Sequence, residues 1–304
     1  GPAHINMFTA YSQNFSVKSF KAARKIELHT PFDESWPQLP QGRIAIFIGA
    51  HQPFSGKATK VIDNFCSVHD AVVFTSHISG YQGKYKVNYS LVSGNGGYQS
   101  DCKKIDLLIH LGEITGNTYS VSGKETWRVS EDGKPRDLFN NLTHVFQMPP
   151  QVFFEHYATG EGNHTEYLKA CKADIDKLTS LIPELPFGNI WMAQHMISHL
   201  PVGCEFHMGI LNSMRSWNFF QLPKGIYART NVGGYGIDGG ISTMIGSSLV
   251  NPNKLFIGVF GDLAFFYDMN VLGNREVGNN VRIMLINNGM GAEFRNYGNP
   301  CYAY

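Results

Sequence analysis

Residues 255–263 read Leu-Phe-Ile-Gly-Val-Phe-Gly-Asp-Leu, and residues 281–289 read Val-Arg-Ile-Met-Leu-Ile-Asn-Asn-Gly. Each stretch begins with a mostly apolar run, which is typical of a parallel β-strand buried on both faces, and ends in a polar turn. The residues between the two runs predict one helix. A strand, a helix and a second strand in this order predict a unit of parallel α/β structure.

The same pattern recurs toward the N-terminus. Apolar runs predict buried strands at residues 43–48, 71–75 and 105–111, and apolar residues at helical spacing predict a helix over 58–70. A helix over 161–181 follows, and Pro183, Pro186 and Gly188 then interrupt the chain. Beyond them we predict a helix over 189–200 and strands over 204–211 and 225–228. The sequence therefore predicts an α/β fold with two doubly wound parallel-sheet domains, preceded by a loop-like segment over 1–35.

Composition excludes several classes of function. The 304 residues include 43% hydrophobic and 16% charged residues, and the formal net charge of +1 predicts no attraction to nucleic acid or to an acidic membrane surface. We find no apolar run long enough to span a membrane and no signal peptide. The five cysteines are scattered, without a CxxC pair, which favours a reducing cytoplasmic location over a disulfide framework or a zinc knuckle.

The polar residues after the two quoted runs are candidate metal ligands. Asp262 directly follows one predicted strand, and Asn288 follows the other, 26 residues later. In open α/β sheets ligands bind at such strand ends, and a carboxylate and a carboxamide offer the hard oxygen ligands that Mg²⁺ prefers. A Gly-Asp after a strand usually caps a helix, and Asn-Asn-Gly is usually a turn. Their joint occurrence at two strand ends favours a magnesium site.

A glycine-rich stretch is the third candidate segment. Residues 233–239 read Gly-Gly-Tyr-Gly-Ile-Asp-Gly, and Ser242-Thr243 follow. Its glycines permit tight turns and a close approach of the backbone to a ligand, although a glycine-rich loop without a ligand is an equal alternative.

These three segments together resemble the thiamine diphosphate (ThDP) enzyme family, in which Gly-Asp is followed after roughly 25–30 residues by Asn-Asn. The resemblance implies that Asp262, Asn288 and the carbonyl of Met290 bind Mg²⁺, which grips the cofactor diphosphate. It also implies that Ile237 holds ThDP bent, while the backbone of Tyr235 and Ile237 binds its aminopyrimidine ring. The implied cofactor-binding residues are Ser213, Tyr235, Gly236, Ile237, Gly261, Asp262, Leu263, Ala264, Asn288 and Met290.

Within that family the chain is most similar to the 2-succinyl-5-enolpyruvyl-6-hydroxy-3-cyclohexene-1-carboxylate synthases, the carboligases of menaquinone synthesis. The similarity lies in Asn212-Ser-Met214, Gly236-Ile-Asp-Gly239, Gly261-Asp-Leu263 and Asn287-Asn-Gly289. It implies an interdomain linker over 1–35, a central α/β domain over 36–182 and a ThDP diphosphate-binding domain over 183–304 that is truncated at its C-terminus. Two arginines expected to bind acidic substrates are displaced, to Arg215 and Arg229, and Glu293 stands where an apolar residue is expected.

The resemblance implies a ThDP- and Mg²⁺-dependent decarboxylation of a 2-oxo acid with carboligation to an acceptor. The catalytic glutamate of the family belongs to a pyrimidine-binding domain missing from this sequence, so no catalytic residue is predicted here and the chain alone is expected to be inactive. The expected partners are that domain, the small-molecule substrates, and further copies of the chain in a homodimer or homotetramer. Three alternatives remain open: an acetolactate-synthase-like pyruvate carboligase, a non-catalytic ThDP-fold binding protein, and a nucleotide-binding protein that uses residues 233–240.

Overall fold

The computed structural model describes residues 24–113, 115, 121–233, 236–289 and 291, together with positions 4, 6, 11, 13 and 16. Within these residues the β-strands are β1 (Glu27–His29), β2 (Ile44–Ile48), β3 (Val72–Thr75), β4 (Lys86–Asn88), β5 (Ile105–Leu111), β6 (Gly123–Val129), β7 (Leu142–Phe146), β8 (Glu205–Met208), β9 (Tyr227–Arg229), β10 (Phe256–Gly261) and β11 (Val281–Ile286).

The α-helices of the described residues lie between groups of one to three of these strands. They are α1 (Gly56–His69), α2 (Ser90–Ser93), α3 (Pro150–Tyr157), α4 (Glu166–Ser180), α5 (Asn189–Met196), α6 (Asn212–Trp217), α7 (Gly240–Val250) and α8 (Asp262–Asp268). Short 3₁₀ helices lie at Asp101–Lys103, Ile197–His199 and Met269–Gly273. No helix in this part of the chain is both long and apolar enough to cross a membrane.

The strands form two sheets in which every pair of neighbours is parallel. The first sheet has the order β1-β7-β6-β5-β2-β3-β4, and the second has the order β11-β10-β8-β9. The direction of winding reverses between β2 and β5 in the first sheet, and between β8 and β10 in the second. The predicted α/β fold with two doubly wound parallel sheets is therefore confirmed. The domain boundaries stay a prediction.

Strand β2 shows why apolar runs in the sequence correctly predicted buried strands. All five of its residues are buried, because β3 and β5 pair with its two edges and side chains cover both faces. The following helix α1 is capped by Ser55, whose hydroxyl accepts a hydrogen bond from the backbone N–H of Ala58 at 3.1 Å. Its Ile62, Phe65 and Cys66 are buried in the same core as the strand.

Four strands were not predicted. β1 lies inside the segment interpreted as loop-like, and β4, β6 and β7 lie between the predicted elements. β6 carries Arg128, whose side chain is 1% exposed and donates hydrogen bonds to the carbonyl of Gly112 at 3.0 Å and to Glu113 at 3.3 Å. A strand with a buried, paired arginine lacks the continuous apolar pattern by which buried strands are recognised.

Candidate cofactor and metal site

The second sheet gathers the predicted site residues along its carboxyl edge. Its winding reverses between β8 and β10, and ligands of open α/β sheets bind outside the strand ends at such a reversal. Ser213 follows β8, Asp262 follows β10, Asn288 follows β11, and Gly236 follows β9. Residues that are spread over 76 positions of the sequence therefore follow neighbouring strands and lie at one edge of the sheet.

Asp262 occupies the first position of α8 and is 7% exposed. One of its carboxylate oxygens accepts a hydrogen bond from the N–H of Leu263 at 2.8 Å, and the other accepts from the N–H of Gly289 at 2.9 Å. The register of the sheet explains the second contact, because Gly261 at the end of β10 is paired with Ile286 at the end of β11. The structure thus brings the Gly-Asp motif into direct contact with the Asn-Asn-Gly turn.

The turn after β11 has a backbone that requires glycine. Gly289 has φ +63°, in the left-handed region, and no atom lies within 4 Å of the position that a Cβ would take. The side chain of Asn288 is exposed beside it. Met290, the third predicted metal ligand, lies outside the described residues, as does Glu293.

The charge around Asp262 is compatible with a bound cation. Among the residues that the structure describes, no lysine, arginine or histidine forms an ion pair with this carboxylate, whose two hydrogen-bond donors are backbone N–H groups. A buried carboxylate without a cationic partner is costly, and a hard divalent cation with oxygen ligands would offset that cost. The donor set of Asp262 and Asn288 therefore fits Mg²⁺.

Ser213 lies on the other side of the winding reversal. It is 5% exposed, within α6, and the residue before that helix, Leu211, has φ +67°. The N–H of Met214 bonds back to the carbonyl of Gly209 at 3.0 Å, which folds the chain tightly against the end of β8. Ser213 is thereby held at the sheet edge, and its contact with a cofactor stays a prediction.

The glycine-rich segment connects β9 to α7. Gly236 and Ile237 are partly buried, and Gly239 has φ +77° immediately before α7 begins; Tyr235 lies outside the described residues. One carboxylate oxygen of Asp268, at the end of α8, accepts a hydrogen bond from the N–H of Ser242 at 2.6 Å. Asp268 therefore caps the neighbouring helix α7, a positioning role that sequence spacing did not reveal.

The first turn of α8 differs in one respect from the sequence-based expectation. Because a helix N-terminus favours an anion, the sequence predicts that the N–H groups of Leu263 and Ala264 bind a diphosphate, whereas the N–H of Leu263 donates to Asp262 in this structure. Leu263 is 38% exposed and Ala264 is partly buried, so both remain accessible at the edge. Their role toward a diphosphate stays a prediction.

A cleft of about 650 Å³ separates the carboxyl edge of the first sheet from the end of β9. The first sheet contributes Ala50, Gly112 and Ser130 to its walls, and the second contributes Arg229, Thr230 and Val232. Arg229 lies 3.8 Å from Glu205, which also binds Lys254 at 2.6 Å. Val232 directly precedes the glycine-rich segment in sequence, but none of the described cofactor-site residues lines the cleft.

Comparison with known proteins shows similarity to one kind of enzyme. The 2-succinyl-5-enolpyruvyl-6-hydroxy-3-cyclohexene-1-carboxylate synthase of Bacteroides fragilis is 38% identical over 173 residues, which cover 56% of this chain and 31% of the relative. The synthase of the same name from Flavobacterium johnsoniae is 30% identical over 324 aligned positions, covering 97% of the chain and 57% of the relative. That of Cytophaga hutchinsonii is 25% identical and covers 99% of the chain.

In these alignments the chain spans between 31% and 57% of the relatives' own length. No protein-family model matches the chain. The similarity nevertheless extends over both sheets in two of the relatives, and it agrees with the motifs at the edge of the second sheet. The chain is therefore a relative of the 2-succinyl-5-enolpyruvyl-6-hydroxy-3-cyclohexene-1-carboxylate synthases, a family of ThDP-dependent enzymes, as its motifs predicted.

Proposed function

We propose that this chain forms the diphosphate-binding part of an enzyme that decarboxylates a 2-oxo acid and joins the remaining fragment to an acceptor, using ThDP and Mg²⁺. The observation that carries the proposal is the contact of the buried Asp262 carboxylate with the N–H of Gly289 at 2.9 Å. This contact joins the two halves of the motif at the carboxyl ends of β10 and β11, beside the winding reversal between β8 and β10, where a ligand is expected.

The residues at the carboxyl edge of the second sheet would have different roles. Asp262, Asn288 and the carbonyl of Met290 would hold Mg²⁺, and the glycine-rich segment with Ile237 would support the rings of the cofactor. Bound ThDP would supply the electron sink that makes loss of CO₂ from a 2-oxo acid possible. Asp268 would keep the start of α7 in place beneath the glycine-rich segment through its hydrogen bond to Ser242.

The relatives suggest the donor. Their product carries a succinyl group, and 2-oxoglutarate yields a four-carbon succinyl fragment when it loses CO₂. We therefore propose 2-oxoglutarate as the donor and a role in menaquinone synthesis. Pyruvate, the donor of an acetolactate-synthase-like enzyme, is the runner-up, because Arg229 binds Glu205 in this structure and the expected substrate arginines are displaced.

The test combines cofactor binding with turnover in the complete gene product. ThDP binding in the presence of Mg²⁺ is measured by calorimetry, and CO₂ release is measured with 2-oxoglutarate and with pyruvate separately. We expect Asp262→Ala to abolish Mg²⁺-dependent ThDP binding and CO₂ release. Asp176→Ala is the matched control, because Asp176 is an exposed carboxylate on α4 of the other sheet.

Each outcome separates the alternatives. Release from 2-oxoglutarate supports the proposal, and release from pyruvate alone indicates the acetolactate-synthase-like alternative. ThDP binding without release from either acid indicates a non-catalytic relative. Unchanged ThDP binding in Asp262→Ala would refute the assignment of the site.

A further inference from the structure

Strand β1, at the end of the first sheet, and its neighbour β7 carry a second group of side chains able to bind a metal. Strand β1 pairs in parallel with β7, with Glu27 opposite His144 and His29 opposite Phe146. Because side chains alternate along a strand, Glu27, His29 and His144 project from the same face. The possible ligand atoms of these three residues all lie within 4.8 Å of one another, a property that no other group of three His, Cys, Asp or Glu shares within the described residues.

The two imidazole rings face each other directly. The Nε2 atom of His29 lies 2.8 Å from the Nδ1 atom of His144. Aromatic side chains pack against both rings. His29 stacks on Phe146 with ring centroids 4.9 Å apart, and Trp127 packs edge-on against His144 with ring centroids 5.1 Å apart. The side chains of His29 and His144 are only 11% and 18% exposed, so packing holds both rings in this orientation.

The outward nitrogen of each ring faces a carboxylate. His29 Nδ1 lies 3.7 Å from Asp33, and His144 Nε2 lies 3.7 Å from Glu125. Glu125 is itself held by the Trp127 indole N–H at 2.6 Å and the Thr143 hydroxyl at 2.5 Å. Carboxylates behind histidines are the usual outer partners of metal-binding imidazoles, since they fix the ring orientation and make the ligand nitrogen more basic.

The two inward nitrogens can share either a proton or a metal ion. In two neutral rings, one inward nitrogen can donate its N–H to the other across the 2.8 Å contact. In the tautomers whose N–H groups point outward, toward the carboxylates, both inward nitrogens instead present a lone pair, and a cation that accepts both lone pairs stabilises that arrangement. Glu27 adds a carboxylate on the same side, and its contact with Lys25 at 2.6 Å engages only one of its two oxygens.

We propose that Glu27, His29 and His144 bind a divalent metal ion such as Zn²⁺, which links the edge strand β1 to β7. Two imidazole nitrogens and one carboxylate oxygen suit Zn²⁺, unlike the oxygen-only set of Asp262 and Asn288 that suits Mg²⁺. With Zn–N bonds of about 2.0–2.1 Å and a tetrahedral angle, the two nitrogens would lie about 3.3 Å apart. The rings therefore need to separate by about 0.5 Å. Water would complete the coordination, since Glu27 lies at the exposed side of the group.

The experiment uses the full chain after treatment with a chelator, and Zn²⁺ alone is the probe. Calorimetry and metal analysis measure stoichiometry and Kd, and the melting temperature is recorded with and without Zn²⁺. We expect one bound Zn²⁺ and a higher melting temperature, because a ligand that binds the folded state stabilises it. His29→Gln and His144→Gln should abolish both effects. Glu125→Gln, which alters only the outer partner, should weaken binding about tenfold.

Three further variants make the test specific. His199→Gln removes an exposed histidine elsewhere and should leave the affinity for Zn²⁺ unchanged. Asp262→Ala should also leave it unchanged, which separates this site from the proposed cofactor site. Lys25→Met frees the Glu27 oxygen that Lys25 engages and should tighten binding, and this readout does not depend on how well a histidine variant folds.

Two results would overturn the proposal. The first is the absence of Zn²⁺ binding to the wild-type chain, which would mean that a shared proton, rather than a metal, joins the two imidazoles. The second is binding that survives both His29→Gln and His144→Gln in correctly folded protein.

Discussion

Stability should depend on pH through His77, which lies where the two sheets meet. His77 is 6% exposed in the loop after β3. Its ring Nε2–H donates to the carbonyl of Trp217 at 2.9 Å, and its backbone N–H donates to the side-chain carbonyl of Asn218 at 2.8 Å. The Asn88 amide donates to the carbonyl of Asn218 at 2.9 Å. This junction connects the first sheet to the end of α6 in the second.

Burial lowers the pKa of His77 from 6.5 to about 4, and the charge of Lys86 acts in the same direction, while the hydrogen bond to Trp217 opposes the shift. The unfolded chain takes up a proton near pH 6.5, and the folded chain does so only near pH 4. Between these values the unfolded state binds more protons, so the free energy of unfolding falls as the pH falls. The loss from His77 is about 2 kcal/mol at pH 5 and approaches about 3 kcal/mol near pH 4.

The assay compares urea unfolding of wild type and His77→Gln at about pH 7.5 and about pH 5, followed by tryptophan fluorescence. We expect the wild type to lose about 2 kcal/mol more than His77→Gln over this interval. Burial also lowers the pKa of His207 to about 4 and that of His110 to about 3, and both groups titrate equally in the two proteins. The exposed His199→Gln should behave like the wild type. An equal loss in wild type and His77→Gln would refute the reasoning.

Two further predictions concern stability. Gly289→Ala should lower the free energy of unfolding by about 1 kcal/mol, because φ is +63° there and the cost is backbone strain alone. The control is Gly246→Ala, which lies in the interior of α7 with open space around it and should raise the free energy of unfolding by about 0.5–1 kcal/mol. Thermal unfolding measures both, and equal effects would contradict the strain argument. Asp174→Asn should cost about 2 kcal/mol, because its carboxylate accepts hydrogen bonds from the hydroxyls of Tyr89 at 2.8 Å, Tyr98 at 2.9 Å and Ser100. The exposed Asp176→Asn on the same helix should change stability by less than about 0.5 kcal/mol, and a comparable loss in both variants would show that the hydrogen bonds are not the cause.

The amino-acid sequence by itself determined the fold class and the edge at which the motif residues meet. Strands such as β2 and β10 are buried on both faces, so continuous apolar runs marked them directly. Parallel strands also share one carboxyl edge, so the positions of Asp262 and Asn288 at strand ends predicted their proximity. Both inferences depend only on information local to each segment.

Only the tertiary structure decided the rest. β6 was not predicted because its buried Arg128 interrupts the apolar pattern and is satisfied by Gly112 and Glu113, which directly follow β5. β1 was not predicted because its three residues carry no recognisable periodicity. The pair of His29 and His144, 115 residues apart, and the capping of α7 by Asp268 have no signature in spacing. In each case a polar side chain is made stable by a partner distant in sequence. Local patterns record whether a residue is buried, whereas its hydrogen-bond partner depends on which strands and helices the fold places side by side.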